Sequence, residues 1–242
     1  MTIQGTDSPP SPQETTEPTL PWSFDDTWIG LGLLVIIQIA SVAAVLIFKS
    51  LKVYGTIIVV FLELVYILPA LIILSIRRAP FKLLGYRSFK FRFIEIGFGL
   101  VVASYFITVI NNTLFLMFGK NIQADEIAQL LRNLSSPYSF IFTGVIIAPI
   151  VEETFFRGFL FAGFRQRYGY PKAALLSSAI FAAAHLQPSV LVPTFVLGFI
   201  FSYLYQKSNS IIPGMILHFM VNAFGIITIF ALTRAGVPII PR

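Results

Sequence analysis

Residues 139–164 read SFIFTGVIIAPIVEETFFRGFLFAGF, a run from Ser139 to Phe164 that is apolar along most of its length. A bilayer core needs about 20 such residues in a helix, whereas a barrel strand would alternate polar and apolar over about ten, so the run predicts a membrane-spanning helix. Near its middle stand two adjacent carboxylates, Glu152 and Glu153, with Arg157 one helical turn further on. A charge at that depth costs at least about 2.5 kcal/mol even on lenient insertion scales, so two in a row require a compensating role. That role points to chemistry.

The composition agrees with the membrane reading. Hydrophobic residues make up 56% of the 242 and charged residues 12%, with a mean hydropathy of +0.83, far from a soluble globular domain. Cysteine is absent, which removes disulfides, thiolate nucleophiles and Cys-based metal sites. The net charge of +6 sits between apolar runs, above all at Arg77, Arg78, Lys82, Arg87, Lys90 and Arg92. This reads as a juxtamembrane anchor on the lipid bilayer and not as a nucleic-acid surface, since no recognition motif accompanies it.

Apolar runs of spanning length cover residues 28–48, 54–76, 93–118 and 140–164, and shorter ones cover 171–186, 190–206 and 211–232. The fold class is therefore all-α, a polytopic transmembrane helical bundle of about seven spans plus a short interfacial helix. Residues 1–27 hold five acids and no base among many Pro, Ser and Thr residues, a disordered polar tail with no basic region to make it a cleavable signal. Residues 28–118 form three N-terminal transmembrane helices, 119–139 an amphipathic connector, 140–232 a four-helix catalytic core, and 233–242 a tail. Basic residues in the short loops favour a cytoplasmic amino terminus, ten on that side against six opposite.

Within the spans the ionisable groups are few. Glu153 and Arg157 form an i, i+4 pair on one helix face in the favourable order, so they can neutralise each other. Glu152, rotated by about 100° from Glu153, needs a partner on another helix or a proton. Pro149 removes a backbone donor and can kink the helix, freeing nearby carbonyls. Glu63, Asn111 and Asn112 read as interhelical hydrogen-bonding groups. Both histidines of the chain, His185 and His218, lie inside later spans, with Asn222 one turn beyond His218 on the same face. Glutamate and two histidines can activate water in two ways. They can hold a zinc ion through Glu152, His185 and His218, or Glu152 can act as general base with a histidine while His218 and Asn222 stabilise an oxyanion. The sequence leaves both open. At about 1.5 Å per residue, His185 and His218 sit at different depths in parallel spans, so their helices must be staggered or tilted to meet. Ser177 and Ser178 share the span of His185, but no Gly-x-Ser-x-Gly elbow supports a serine nucleophile.

Glu152-Glu153-Thr-Phe-Phe-Arg157-Gly158, then Phe181-x-x-x-His185, then His218-x-x-x-Asn222, each on a separate apolar segment, resemble the three motifs of the CPBP or Abi family of CAAX-prenyl-protease and bacteriocin-processing intramembrane proteases. The likeness covers about the last hundred residues, with no departure at the motif positions. It implies an intramembrane endopeptidase acting on a peptide or membrane-protein substrate. By motif position, Glu152 activates water or ligates metal, Glu153 supports the site with Arg157, His185 is a ligand or co-base, and His218 with Asn222 completes a metal site or an oxyanion hole. Two other classes fit the same residues: a non-catalytic scaffold or bacteriocin-immunity protein, which keeps the polar groups for folding, and a proton-coupled transporter, which uses Glu152, Glu63 and the histidines as a relay.

Overall fold

In a computed structural model of the chain, residues 20–50, 55–118, 123–133 and 137–237 are described. Helices α1 (Phe24–Ser50), α2 (Gly55–Leu64), α3 (Leu68–Ile76) and α4 (Arg92–Met117) come first, and α2 and α3 are joined by a single 3₁₀ turn. A short helix α5 (Gln123–Asn133) follows, then α6 (Pro137–Phe142) and α7 (Ala148–Glu152), and finally α8 (Ala162–Ala184), α9 (Leu191–Ser208) and α10 (Ile212–Arg234). Two π-helical stretches, Thr143–Ile147 and Glu153–Phe161, flank α7, so the motif run of the sequence is one continuous helix wound more widely on either side of Pro149. Among the described residues there is no strand.

Five helices are long and apolar enough to cross a membrane, and Val60–Ile76 is a shorter apolar helix. The protein is thus a polytopic helical bundle integral to the membrane. The expected spans 140–164 and 171–186 run as one element from Pro137 to Ala184, turned at Gly169, whose φ of 68° and ψ of 175° are not helical. A left-handed φ of that kind favours glycine, which lacks the Cβ that clashes there. Pro171 then restarts α8 with no donor to waste in its first turn.

The π-helical stretch Glu153–Phe161 is the axis of the bundle: all nine of its residues are buried. Phe155, Phe156, Phe159 and Phe161 pack outward from it into a core with Trp22, Leu84 and Phe181. Close approach depends on small residues, as expected where lipid supplies no hydrophobic drive between helices. A Cβ on Gly158 would stand 2.5 Å from the Leu84 carbonyl oxygen, and one on Gly163 would collide with Thr27. The outer faces stay apolar and exposed, with Ile36 and Ile39 on α1 and Phe106 and Val109 on α4, as a lipid-facing surface requires.

Residues 20–27, expected to belong to a disordered tail of residues 1–27, pack on the bundle; residues 1–19 of that tail lie outside the described residues. Trp22 is buried and stacks on Phe159 at 5.6 Å. The Ser23 backbone N–H donates to the Asp26 carboxylate, and the Asp26 N–H donates to Ser23 Oγ. This reciprocal cap, Ser-x-x-Asp before an apolar run, starts α1. Asp26 also accepts two hydrogen bonds from Arg77 at 2.8 Å each. Much of the amphipathic connector is helical as α5, with Ala128 and Leu131 turned inward and Leu130 outward; residues 119–122 and 134–136 of it lie outside the described residues.

Candidate active site

The site is built where the wide helix, α8 and α10 meet. Glu153 opens the second π-helical stretch and is wholly buried. Its Oε1 accepts from Arg157 Nη1 at 2.8 Å, the pair that the i, i+4 spacing predicts. The same oxygen lies 3.1 Å from His218 Nδ1. Arg157 is itself buried and lies between aromatic faces, its Cζ 4.2 Å from the Phe181 ring centroid and 5.4 Å from that of Phe201. Ring quadrupoles thereby take the place of the water that a guanidinium would otherwise keep. Gly198 leaves the room: a Cβ there would sit 3.0 Å from Arg157 Nη2. Gly214 does the same for Glu153, whose Oε2 would be 3.3 Å from an added Cβ.

Glu152 has another setting. It is the last residue of α7, its side chain is 14% exposed against 1% for Glu153, and its Oε2 is 3.6 Å from His218 Nε2 with no hydrogen-bond partner. His218 thus touches both glutamates, Nδ1 toward Glu153 and Nε2 toward Glu152. A carboxylate oxygen already taking a proton donor from Arg157 accepts from Nδ1–H, so the ring is held with Nε2 facing Glu152. The ring also stacks on Phe201 at 5.4 Å.

His185 caps α8, where its Nδ1 lies 2.9 Å from the Phe181 carbonyl. A carbonyl only accepts, so Nδ1 carries the proton and Nε2 keeps its lone pair. The Phe181 ring lies edge-on to both imidazoles, 4.9 Å from His185 and 5.9 Å from His218. The depth mismatch between the two spans is resolved, since both imidazoles pack on the same phenylalanine.

Asn222 Nδ2 donates to the Gly144 carbonyl at 2.8 Å. That carbonyl is free for a definite reason. In the first π-helical stretch the Ala148 N–H reaches back five residues to the Thr143 oxygen; the next bond of that series would run from residue 149 to Gly144, and Pro149 has no N–H. The carbonyl freed by Pro149 is the one that α10 takes up through Asn222.

Glu152, His185, His218 and Asn222 line one cavity of about 380 Å³. Its far wall comes from α4 and α5, through Ser104, Thr108, Asn112 and Gln123. Four of the six residues singled out in the sequence therefore face one space, and Glu153 and Arg157 lie beneath it. Sequence reasoning missed the link between His218 and Glu153, which has no local spacing to reveal it. Thr154 was also missed: its hydroxyl donates to the Ile150 carbonyl and accepts from Tyr86. Burial pushes the Tyr86 phenol up from its ordinary pKa, so it stays protonated and the donor direction is fixed. Asn111 donates to the Ser189 carbonyl at 2.6 Å, an interhelical bond of the expected kind. Glu63 differs from expectation: its Oε1 is buried without a hydrogen-bond partner.

The donor set does not converge as a zinc site in this arrangement. Among the described residues no three His, Asp or Glu side chains gather as metal ligands do, although the Nδ1 contacts of His185 and His218 leave Nε2 of each ring as the nitrogen that could ligate.

Residues 134–224 match the family described as type II CAAX prenyl endopeptidase Rce1-like. The chain is 26% identical over 131 residues to "Putative membrane peptidase YdiL" of Bacillus subtilis, covering 52% of this chain and 54% of that protein. It is 38% identical over 81 residues to "UPF0177 protein YxdF" of Lactococcus lactis, covering 33% of this chain and 44% of that relative. The chain thus spans about half the length of the curated relatives it matches. No solved structure matches it. These findings bear out the resemblance drawn from the three motifs, and the family is one of peptidases.

Proposed function

We propose that the chain is an intramembrane endopeptidase in which Glu152 activates water for attack on a peptide carbonyl. The observation that carries this reading is the division of labour between the two glutamates: Glu153 is buried with its charge answered by Arg157, and Glu152 lines the cavity. The family match supports it.

Water has two protons and the site offers two acceptors, the Glu152 carboxylate and His185 Nε2. As the water oxygen bonds to the substrate carbonyl carbon, its proton passes to Glu152. The carbonyl oxygen takes the negative charge. It is met by the second N–H of the Asn222 amide and by His218, which in its imidazolium form donates from Nε2 while Glu153 holds Nδ1. Glu152 then hands the proton to the leaving amine as the C–N bond breaks, which releases a carboxylic acid and an amine. Glu153 and Arg157 do not touch substrate and act by positioning His218. A zinc ion held by Glu152 and by Nε2 of His185 and His218 would instead polarise the water, and the two side chains would have to draw together around it while keeping their Nδ1 bonds.

Cleavage of peptides by purified protein tests the reading, compared with Glu152→Gln and His185→Ala variants of unchanged thermal stability. Equal cleavage by all three sinks it, and a stable protein that cleaves nothing favours the scaffold or immunity class. Chelation separates the routes: full activity after chelation is expected here, whereas loss restored by zinc and not by calcium would move the mechanism to the metal.

A further inference from the structure

Beside the catalytic cavity lies a second one, of about 560 Å³, with His185 in the wall of both. Its other walls are Phe115 at the end of α4, Glu126 on α5, and the loop Leu186-Gln187-Pro188-Ser189 that joins α8 to α9. Neither the family motifs nor the water chemistry uses this space. Three features mark it as built for a ligand. Ser189 is 2% exposed, yet its Oγ has no hydrogen-bond partner, and a buried hydroxyl left unpaired costs about 1–3 kcal/mol. Leu186 holds φ at +53°, where a non-glycine residue is strained, and 81% of it is exposed; such strain gathers at ligand clamps and active sites. Its loop is pinned from the other side by Asn111, which donates to the Ser189 carbonyl.

The charge of the space is one-sided. Among the described residues Glu126 is the one carboxylate lining it, no Lys or Arg lines it, and no Lys or Arg pairs with Glu126. The remaining polar groups are the Gln187 amide and the Ser189 hydroxyl, both able to accept from an N–H. Because His185 lines both cavities, a substrate whose scissile carbonyl lies at Glu152 and His185 can place a neighbouring residue in this one. We propose that the second cavity is a specificity subsite of the peptidase that takes a basic side chain of the substrate, its ammonium or guanidinium held by Glu126, Gln187 and Ser189.

The inference rests on the peptidase reading, and one experiment separates them. Full-length protein carrying Glu152→Gln, in lipid nanodiscs, is titrated with fluorescent peptides of one apolar scaffold in which Arg, Gln or Glu is placed at each position in turn. At one position Arg is expected to bind at least about tenfold tighter than Glu, the effect of a single charge-assisted contact. Adding Glu126→Lys, on an exposed helix face, reverses that order. No binding, no preference at any position, or a preference that survives Glu126→Lys overturns the subsite. The same peptides are then offered to protein with Glu152 intact. Cleavage without charge preference leaves the peptidase and removes the subsite; charge-selective binding without cleavage does the opposite.

Discussion

Removing the buried cation at Arg157 should be far more damaging than removing the cation and its partner together. Arg157 and Glu153 are each about 1% exposed and meet at 2.8 Å, and Glu153 has His218 as its other polar contact. Arg157→Met fills much of the same volume between Phe181 and Phe201 but leaves Glu153 as an unanswered charge in the core, a change that costs about 3–5 kcal/mol. For a domain of this size that corresponds to a fall in the melting midpoint on the order of 10 °C. Glu153→Gln alone strands the guanidinium and should cost a similar amount. The double variant has no net charge to bury, and its amide can still accept from His218 Nδ1, so it should return to within about 2 kcal/mol of the parent. Thermal unfolding in detergent micelles of the parent, both single variants and the double variant closes a cycle whose coupling should be at least about 4 kcal/mol, the two single losses together less what the double variant still loses. Peptide cleavage should stay low in the stable double variant, because an amide can donate as well as accept and so no longer fixes the proton of His218 on Nδ1. Additive losses across the cycle, or a loss below about 1 kcal/mol in Arg157→Met, would refute the buried-pair account.

Glu152→Gln should leave the melting midpoint unchanged or slightly raised, since Oε2 has no hydrogen bond to lose, while cleavage falls by about 10²–10⁴-fold as expected for a general base. Asn222→Ala orphans the Gly144 carbonyl and should cost about 1–3 kcal/mol in unfolding measurements, with a drop in kcat larger than any change in KM. A second substitution, Pro149→Ala, restores the missing donor and should recover part of that stability but not the activity; failure to recover any would count against the assignment of the freed carbonyl. Gly158→Ala would press a Cβ against the Leu84 carbonyl, and overpacking of this kind should cost about 1–3 kcal/mol. A reporter fused after Arg234 tests the expected topology, since a cytoplasmic amino terminus with about seven crossings places it on the opposite face.

Much of this architecture was legible because its signals are local. The Glu153 to Arg157 pair follows from helical spacing, the membrane spans from unbroken apolar runs, and the family from three ordered motifs. What was not legible depends on contacts between distant elements. The π-helical winding on both sides of Pro149 leaves no periodicity in the apolar pattern, because every residue from Glu153 to Phe161 is buried whichever way the helix turns. Residues 20–27 depart from the tail expectation for a different reason. Five acids near the amino terminus dominate the composition, but two of them, Asp25 and Asp26, lie in the first turn of α1, where negative charge opposes the helix dipole and stabilises the end.

Adjacent carboxylates in one helix start with the same chemistry, so any difference in their roles must come from what surrounds them. Here the boundary between α7 and the wider helix falls between the two residues. Glu153 turns inward to a buried guanidinium and to the backbone-level space left by Gly214; Glu152 turns into the cavity. His218 joins them, one nitrogen to each. The charge on Glu153 selects a proton on Nδ1, and that choice decides what Nε2 presents to Glu152 and to a carbonyl oxygen beside it. In the proposed reaction Arg157 would therefore act on the water at a distance, through two side chains, as it is not among the residues that line the cavity. It follows that Glu153 and Arg157 should govern the state of His218 more than the binding of substrate, whereas Glu126 should govern binding and leave that state alone.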